Sequence, residues 1–430
     1  MIITEKLFKL KENKTDIKTE LFAGLTTFFT MSYLFVLVPK ILEGAGLDFG
    51  ITLSVTGIVV FLGCLYMGLI ANKPYALAPF IGETAFVAYT MVCGLGFSIK
   101  TIFASIILCG FILLLMTLLN IRTYVVEKIP ESIKLAFCTG LGMFFIFISL
   151  KDIGLVKFTQ NPIPLEIGNF TQPEAILGLL CFSIIIILAK RQVKAAVLIA
   201  ILLTTVIGII LGDVKLPSGI ISMPHNIVPA FLQADFSQIF SKDFIPMLFV
   251  MFFLINIDTA GAIVSLSYKS ENKDESLKKP MIADSLAVIT APVLGTTASG
   301  VYLDSMTGMQ AGGKTGLTAI TVGCLFLLGI FFSPILSVIP SYAYAPALLY
   351  VGILMTSAVI HIDFKDITEY APAVFIIAMM NFTYNIGTGI MSGFLIYPII
   401  KLLSGQKQKT NIIVWIMFVL SIIFFAIYPY

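Results

Sequence analysis

The chain has 430 residues, of which 58% are apolar and only 12% are charged, and its mean hydropathy is +1.01. Soluble domains keep roughly a quarter of their residues charged, so this composition excludes a soluble protein and predicts that lipid covers most of the surface. The net charge of +3 is small, and the basic residues lie mainly between apolar stretches. That distribution indicates orientation in a membrane rather than nucleic-acid binding.

The first twenty residues are polar and carry five lysines between Lys6 and Lys18. Positive residues concentrate on the cytoplasmic side of membrane proteins, so residues 1–20 are predicted to be a cytoplasmic segment. A cleavable signal peptide is not expected, because the apolar stretch that follows is long enough to remain in the membrane.

Long apolar stretches then follow one another, and a helix needs about 20 such residues to cross a bilayer. The sequence therefore predicts an all-α polytopic membrane protein with about fourteen transmembrane segments. Spans one to seven are predicted at residues 21–40, 51–71, 76–96, 100–119, 131–150, 174–190 and 194–212. Spans eight to fourteen are predicted at residues 244–268, 281–295, 297–312, 315–333, 344–361, 370–386 and 388–403. A last apolar segment, within residues 411–430, either crosses the membrane or lies along it.

The longest polar interruption, residues 212–243, separates seven predicted spans from seven. An odd number of spans in each half gives the two halves opposite orientations. Inverted repeats of this kind are a recurrent plan of secondary transporters, whose binding site lies near the midplane at discontinuous helices.

Spans three and ten begin in a similar and unusual way. Residues 75–86 read YALAPFIGETAF and residues 295–305 read GTTASGVYLDS. Both combine helix-disfavouring residues with an acid, and irregular backbone at membrane depth is tolerated only where protein or a wet cavity supplies hydrogen bonds. Each span is therefore predicted to begin as a short extended segment and to continue as a half-helix, with the two breaks facing one another.

Three acids lie in or beside these apolar segments, namely Glu83, Asp258 and Asp304. A charge at the centre of a spanning helix costs at least about 2.5–3.5 kcal/mol, so three of them indicate a shared polar cavity. Carboxylates there could accept N–H donors from a heterocycle and could bind and release a proton. Each acid could instead be a local hydrogen-bond acceptor, and Glu83 could cap its own half-helix.

Other charges near the spans are expected at the membrane surface. Asp284 follows Lys278 and Lys279 near the start of span nine, which favours an interfacial or capping position, and Lys314 is expected at the cytoplasmic surface. No Arg or Lys falls at either break.

Aromatic residues beside the breaks, Phe80, Phe86 and Tyr302, could stack on a flat ring or could be ordinary packing residues. Both histidines, His225 and His361, fall in or beside loops, so neither a metal site nor a cofactor is predicted. The six cysteines lie in apolar runs without CxxC spacing and are predicted to be packing residues. They are Cys64, Cys93, Cys109, Cys138, Cys181 and Cys324.

Several motifs resemble one known family, the adenine–guanine–hypoxanthine permeases of the nucleobase–cation symporter group, which are related to xanthine and uracil permeases. The similarity begins with FKLKENKTDIKTELFAGLTTFFTMSYLFVLVPKIL and resumes at INIDTAGAIVSLSYK and MIADSLAVITAPVLGTTASGVYLDSMTGMQAGGKTGLTAI. It continues through FFSPILSVIPSYAYAPALLYVGILM and NFTYNIGTGIMSGF, so it covers almost the whole chain.

The resemblance implies a fold of seven plus seven inverted helices with a core domain and a gate domain. The core would comprise residues 21–120 and 244–334, and the gate residues 131–212 and 344–404. The resemblance also implies proton-coupled uptake of a nucleobase by alternating access, with the proton as coupling ion, no other cofactor and a homodimer that forms through gate helices.

In such proteins an acid on span eight and another at span ten hold the base, which carries over to Asp258 and Asp304. Backbone around Phe86 and Tyr302 would line the pocket. Two features depart from the family pattern. Thr84 stands where the branch usually has asparagine, beside the extra acid Glu83, and Asp304 is shorter than the usual glutamate.

Other functions fit the same composition. An anion carrier of this fold is disfavoured by three acids and no base at the breaks. A membrane-embedded enzyme would need catalytic groups that converge at one depth, and no histidine lies deep inside a span. A channel is disfavoured because broken helices in matched halves are typical of alternating access.

Overall fold

The computed structural model describes residues 2–159, 165–217, 219–239, 241, 244–268, 277–406, 408 and 410–427. The first nine helices are α1 Ile2–Phe8, α2 Ile17–Met31, α3 Leu34–Gly44, α4 Phe49–Tyr66, α5 Ile81–Ala85, α6 Ile99–Leu118, α7 Arg122–Lys128, α8 Glu131–Asp152 and α9 Pro173–Lys190. The remaining ten are α10 Ala196–Ile210, α11 Ile245–Tyr268, α12 Lys278–Leu294, α13 Ser305–Gln310, α14 Gly316–Gly329, α15 Ser333–Ser337, α16 Ser341–Thr356, α17 Ile367–Phe382, α18 Ile386–Leu403 and α19 Ile412–Ile427. Four short strands are β1 Leu77–Pro79, β2 Val156–Phe158, β3 Leu165–Ile167 and β4 Ser299–Val301.

Side-chain caps explain where several of these helices begin. Asp16 accepts the Thr19 N–H at 3.0 Å before α2, and Asp48 accepts the Ile51 N–H at 2.8 Å before α4. Ser, Asp and Asn are preferred at this position because their side-chain oxygens satisfy N–H groups that have no partner within the helix. Asn385 caps α18 in the same way.

Within the described ranges, nine helical segments are long and apolar enough to cross a membrane. Three shorter apolar helices, α10, α17 and α19, accompany them. The all-α polytopic prediction is confirmed. The count of fourteen spans stays a prediction, as does the topology of residues 411–430.

Predicted span boundaries agree closely with the helices in most of the chain. Span four was expected at 100–119 and is helical from Ile99 to Leu118, and span eleven, expected at 315–333, begins at Gly316. Span one differs, because the helix is interrupted at Ser32 and Tyr33 between α2 and α3. Span three contains a π-helical stretch, Phe86–Gly94, after α5.

Contacts divide the described residues into two compact units. The first lies within residues 1–128, 221–333 and 424–430, and the second within residues 129–220 and 334–423. The assignment of core and gate roles stays a prediction.

In the first unit, α12 packs on α6, and α14 packs on α2 and α4. Glycines permit these close approaches. A Cβ on Gly57 would lie 2.5 Å from an Ile330 side-chain atom, and one on Gly68 would lie 2.8 Å from the Gly316 carbonyl oxygen.

In the second unit, α8 packs on α16 and α17, and α17 packs on α18. The Lys401 ammonium is fully buried there and lies 2.7 Å from a Glu369 carboxylate oxygen. Glu369 also accepts a hydrogen bond from the Ser132 hydroxyl at 2.6 Å. This ion pair connects three helices of the unit, and its charges are satisfied.

The two predicted breaks lie together in the first unit. Strand β1 pairs with β4 in antiparallel register, with Leu77 opposite Val301 and Pro79 opposite Ser299. Each strand is buried and leads toward a short helix, β1 to α5 and β4 to α13. The predicted extended segments of spans three and ten are therefore confirmed, and they satisfy each other's backbone groups.

Gly300 permits this pairing, and its replacement tests how tightly the breaks are packed. A Cβ at Gly300 would lie 2.5 Å from Phe80, 2.6 Å from Thr259 and 2.8 Å from the Asp284 carboxylate. We expect Gly300→Ala to destabilise the purified protein by about 1–3 kcal/mol, since overpacking forces neighbouring atoms to move. The measurement is the thermal unfolding midpoint in detergent.

Gly261→Ala is the matched control, because a Cβ on Gly261 meets nothing within 4 Å. It should leave the midpoint unchanged or raise it, since alanine favours helix over glycine. Equal midpoints for the two variants would contradict close packing at the breaks.

Candidate functional site

Glu83 lies on α5, directly after the break of span three. Its side chain is completely buried, and neither carboxyl oxygen has a hydrogen-bond partner among the described residues. Among the described residues, no hydrogen bond from another residue's N–H to its carboxyl group is found, and the alternative in which Glu83 caps its own half-helix stays a prediction. Its carboxyl group interacts with that of Asp258.

Asp258 lies on α11 and is half-buried. Its side chain interacts with Glu83, so two of the three predicted acids are brought together. Like charges at close range are unfavourable where water is scarce, so such a pair favours having one of its carboxyl groups protonated.

Asp304 lies just before α13 and is half-buried. Its side chain does not cap that helix, whereas its carbonyl oxygen accepts the Thr307 N–H at 3.0 Å. Among the described residues, the Asp304 carboxyl group interacts electrostatically with Tyr302. Tyr302 also interacts with Glu83, so it connects Asp304 to the Glu83–Asp258 pair.

Tyr302 joins the two breaks. Its ring stacks on Phe80 with 5.3 Å between centroids and an interplanar angle of 16°. Its hydroxyl donates to the Pro79 carbonyl at 2.8 Å and accepts the Ile81 N–H at 3.2 Å. One side chain from span ten therefore holds the strand-to-helix junction of span three.

Thr84 and Phe86 are both completely buried. The Thr84 hydroxyl donates to the Phe80 carbonyl at 2.5 Å and lies 2.6 Å from the Thr297 hydroxyl. Because the single hydroxyl proton of Thr84 is used for the carbonyl, Thr297 is the donor in the second bond. Thr84 thus also connects the two breaks, and Phe86 begins the π-helical stretch behind them.

A buried ion pair lies next to Thr259 and to strand β4, and it was not predicted from the sequence. Arg122 on α7 is 1% exposed and lies 2.7 Å from a carboxylate oxygen of Asp284 on α12. The guanidinium also donates to the Thr259 hydroxyl, which neighbours Asp258 in the chain. The other Asp284 oxygen accepts the Val301 N–H of β4 at 3.3 Å.

Two expectations are corrected by this pair. Asp284 is not interfacial or capping, because it is completely buried and neutralised by Arg122. A basic residue does reach the break of span ten, although none is near it in the sequence. One signal was available: the chain has only two arginines, Arg122 and Arg191, against 25 lysines. Arginine is the residue preferred for buried ion pairs.

Glu20 is a second buried acid that the sequence reasoning missed, since residues 1–20 were expected to be cytoplasmic. One of its oxygens accepts the Lys314 N–H at 2.9 Å. The other accepts the Thr315 N–H at 3.2 Å and the Thr318 hydroxyl at 2.5 Å. Glu20 therefore caps the N-terminus of α14, and every hydrogen bond that it makes serves the fold.

Comparison with known proteins adds independent findings. A family model described as "Permease family" matches residues 18–395. Adenine permease AdeP of Escherichia coli strain K12 is 37% identical over 98% of this chain and 96% of that protein. Guanine/hypoxanthine permease PbuO of Bacillus subtilis strain 168 is 34% identical over 97% of this chain and 99% of that protein.

Two solved structures share the fold. The transmembrane domain of the cyanobacterial bicarbonate transporter BicA gives a TM-score of 0.65 at 17% identity, over 87% of this chain and 97% of that one. Murine Slc26a9, an anion transporter, gives 0.68 at 12% identity, over 94% of this chain and 72% of that one. The likeness confirms the inverted-repeat transporter fold and says nothing of the cargo.

The Tyr302 hydroxyl offers a test of how the breaks are held. Tyr302→Phe keeps the ring and leaves the Pro79 carbonyl and the Ile81 N–H without this partner. Such buried groups cost about 1–3 kcal/mol each when unsatisfied, so we expect a lower unfolding midpoint and weaker transport.

Tyr66→Phe is the control, because the Tyr66 hydroxyl makes one longer bond of 3.3 Å to Thr290 in the same unit. The readouts are thermal unfolding in detergent and initial uptake rate in vesicles. If the two tyrosine variants behaved alike, the Tyr302 hydroxyl would not hold the junction.

Proposed function

The chain belongs to the family described as "Permease family", and from this premise we propose that it takes up a purine-like nucleobase by proton-coupled secondary active transport. Membership makes it a multi-pass membrane transporter and not an enzyme. The cargo, the coupling ion and the residues that bind them are the proposed part.

The observation that supports the proposal most directly is the Glu83–Asp258 carboxyl pair beside the joined breaks. A nucleobase presents N–H donors along one edge of a flat ring, and the carboxyl oxygens of Asp258, the accessible member of the pair, can accept them. Asp258 is half-buried, so a ligand can reach it, whereas Glu83 is enclosed. A site whose buried polar groups need donors rejects solutes that lack them, because those groups would be left unpaired.

The preference for a purine is supported by relatives that align over nearly their whole length. AdeP is named for adenine, and PbuO for guanine and hypoxanthine. Asp258 and Asp304 would hold the base, while Thr84, Phe86 and Tyr302 would shape the surrounding pocket.

Transport would proceed by alternating access without any cofactor other than the coupling proton. Glu83, Asp258 and Asp304 are the candidate groups that bind and release it. We place the protein in the cytoplasmic membrane with a cytoplasmic N-terminus, because its lysine-rich first segment obeys the positive-inside rule. A homodimer is proposed as well, and light scattering on the purified protein tests it.

An anion carrier is the second candidate, and one observation favours it. Arg122 brings a positive charge to the break of span ten, where an anion would need it. That charge is already matched by Asp284 at 2.7 Å, and two further acids lie beside it. The local field therefore repels anions, which keeps a nucleobase the better proposal.

A ligand screen separates the two candidates. Adenine, guanine, hypoxanthine, uracil, sulfate and bicarbonate are each added to purified protein, and thermal unfolding is followed. A ligand at 100 times its dissociation constant stabilises a folded protein by about 2.7 kcal/mol, so a purine should raise the midpoint clearly. Stabilisation by an anion and by no base would contradict the proposal.

Asp258→Asn tests the proposed acceptor. The amide replaces one acceptor oxygen with an NH2 donor that would face an N–H of the base, so we expect purine affinity and uptake to fall at least about tenfold, equivalent to ~1.4 kcal/mol. Asp363→Asn is the matched control, because Asp363 is exposed and lies in the other unit. Unchanged uptake by a folded Asp258→Asn protein would remove Asp258 from the site.

Proton coupling is tested in proteoliposomes with an imposed pH gradient. Adenine should accumulate only when the proton gradient is directed inward, and a protonophore should abolish accumulation while leaving exchange of labelled for unlabelled adenine intact. Accumulation that follows a sodium gradient at clamped pH would show that another ion drives the protein.

A further inference from the structure

Glu83 is completely buried at the breaks and, among the described residues, has no cation paired with it, unlike the equally buried Asp284, which is paired with Arg122. We propose that Glu83 carries the coupling proton and shares it with Asp258, while Arg122 holds Asp284 ionised and outside the exchange. This inference rests on the proposed function, because it assigns the coupling ion of the same site to one residue.

The first step is the absence of donors around Glu83. Its side chain has no exposed surface, and both oxygens lack hydrogen-bond partners in the part of the chain that the structure describes. Glu20 in the same unit is equally buried but accepts three hydrogen bonds. An ionised carboxylate without donors or a counter-charge costs several kcal/mol, so Glu83 is a neutral acid in this arrangement.

The second step is the set of charged and titratable groups that face Glu83. Asp258 comes from α11 and Asp284 from α12, and Tyr302 lies between β4 and α13. None of these three can supply a positive charge. The basic group of the cluster is Arg122 on α7, which reaches it through Asp284 and Thr259.

The third step is the separation of the acids into two kinds. Arg122 lies 2.7 Å from Asp284 and donates at 3.0 Å to the Ser285 hydroxyl and at 3.2 Å to the Met281 carbonyl. A guanidinium held in this way fixes Asp284 as its permanent counter-ion. Among the described residues, Glu83 and Asp258 have no positive partner of their own, and two neighbouring carboxyl groups without a cation share one proton.

The exchange itself is a simple proton transfer. A proton from the outer solution reaches Asp258, which is half-buried, and forms the O–H bond of Glu83, which is enclosed. When the site opens to the inner solution, water reaches the pair, the O–H bond breaks and the proton leaves. One proton is carried with each base, and no other reactant is needed.

Glu83→Gln tests the assignment, because glutamine has nearly the same shape and cannot exchange a proton. In proteoliposomes we expect accumulation of adenine driven by the pH gradient to fall at least about tenfold. Exchange of labelled for unlabelled adenine at equal pH should stay within about threefold of the unaltered protein, since Asp258 still binds the base. Glu127→Gln, which removes an exposed acid on α7, should change neither rate.

Undiminished accumulation by Glu83→Gln would place the coupling proton on another group and overturn the proposal. Loss of exchange together with accumulation in a folded Glu83→Gln protein would also overturn it, because Glu83 would then be needed for binding. If the unaltered protein neither binds nor exchanges any nucleobase, the proposed function itself fails, and that result is distinct from both.

A second pair of variants tests the part played by Arg122. In Arg122→Met the charge of Asp284 is unmatched, so protons should be held more tightly and the pH midpoint of adenine exchange should rise by about one unit or more. Arg122→Met combined with Asp284→Asn replaces an ion pair with a neutral pair and should return the midpoint toward its original value. The electrostatic role of Arg122 would be contradicted if the pH midpoint of adenine exchange did not change in Arg122→Met. It would also be contradicted if the midpoint of the double variant did not return toward that of the unaltered protein.

Discussion

Acids buried among apolar helices must each be matched by a donor, a counter-charge or a proton, and the first unit of this protein uses all three. Glu20 accepts three hydrogen bonds at the start of α14. Asp284 is paired with Arg122. Glu83 lies against Asp258 and has neither a donor from another residue nor a cation in the described part of the chain, which leaves protonation as the means to relieve its charge. This last arrangement can respond to the solution, and it lies where the chain is broken.

The broken spans obey the corresponding rule for backbone groups. Extended segments at membrane depth need partners, because lipid provides none. Here β1 and β4 provide them for each other, and the Tyr302 hydroxyl satisfies the junction between Pro79 and Ile81. Gly300 lets the strands approach Phe80 closely. The contacts that stabilise the breaks also bring together acids from distant spans, so the packing of the breaks assembles the candidate site.

Much of this could be predicted from the sequence, because the signals are local. Apolar length located the spans, and helix-disfavouring residues before Glu83 and Asp304 located the breaks. The Arg122–Asp284 pair could not be predicted in this way, because it joins positions 162 residues apart in the chain and depends on how α7 meets α12. Asp284 was assigned to the membrane surface for a local reason, its nearness to lysines, and tertiary packing overrode that reason. The role of Glu20 could not be predicted for the same reason, since its donors lie at or just before the start of α14, 294 to 298 residues away in the chain.

The proposed transport cycle depends on one protonated carboxyl group at Glu83. Infrared absorption spectra of the unaltered protein and its variants at neutral pH measure this most directly, since a protonated carboxylic acid has its own C=O stretching band. The account predicts that band in the unaltered protein and in Asp363→Asn, and its loss in Glu83→Gln. A spectrum with carboxylate bands alone, or an acid band that persists in Glu83→Gln, would contradict it.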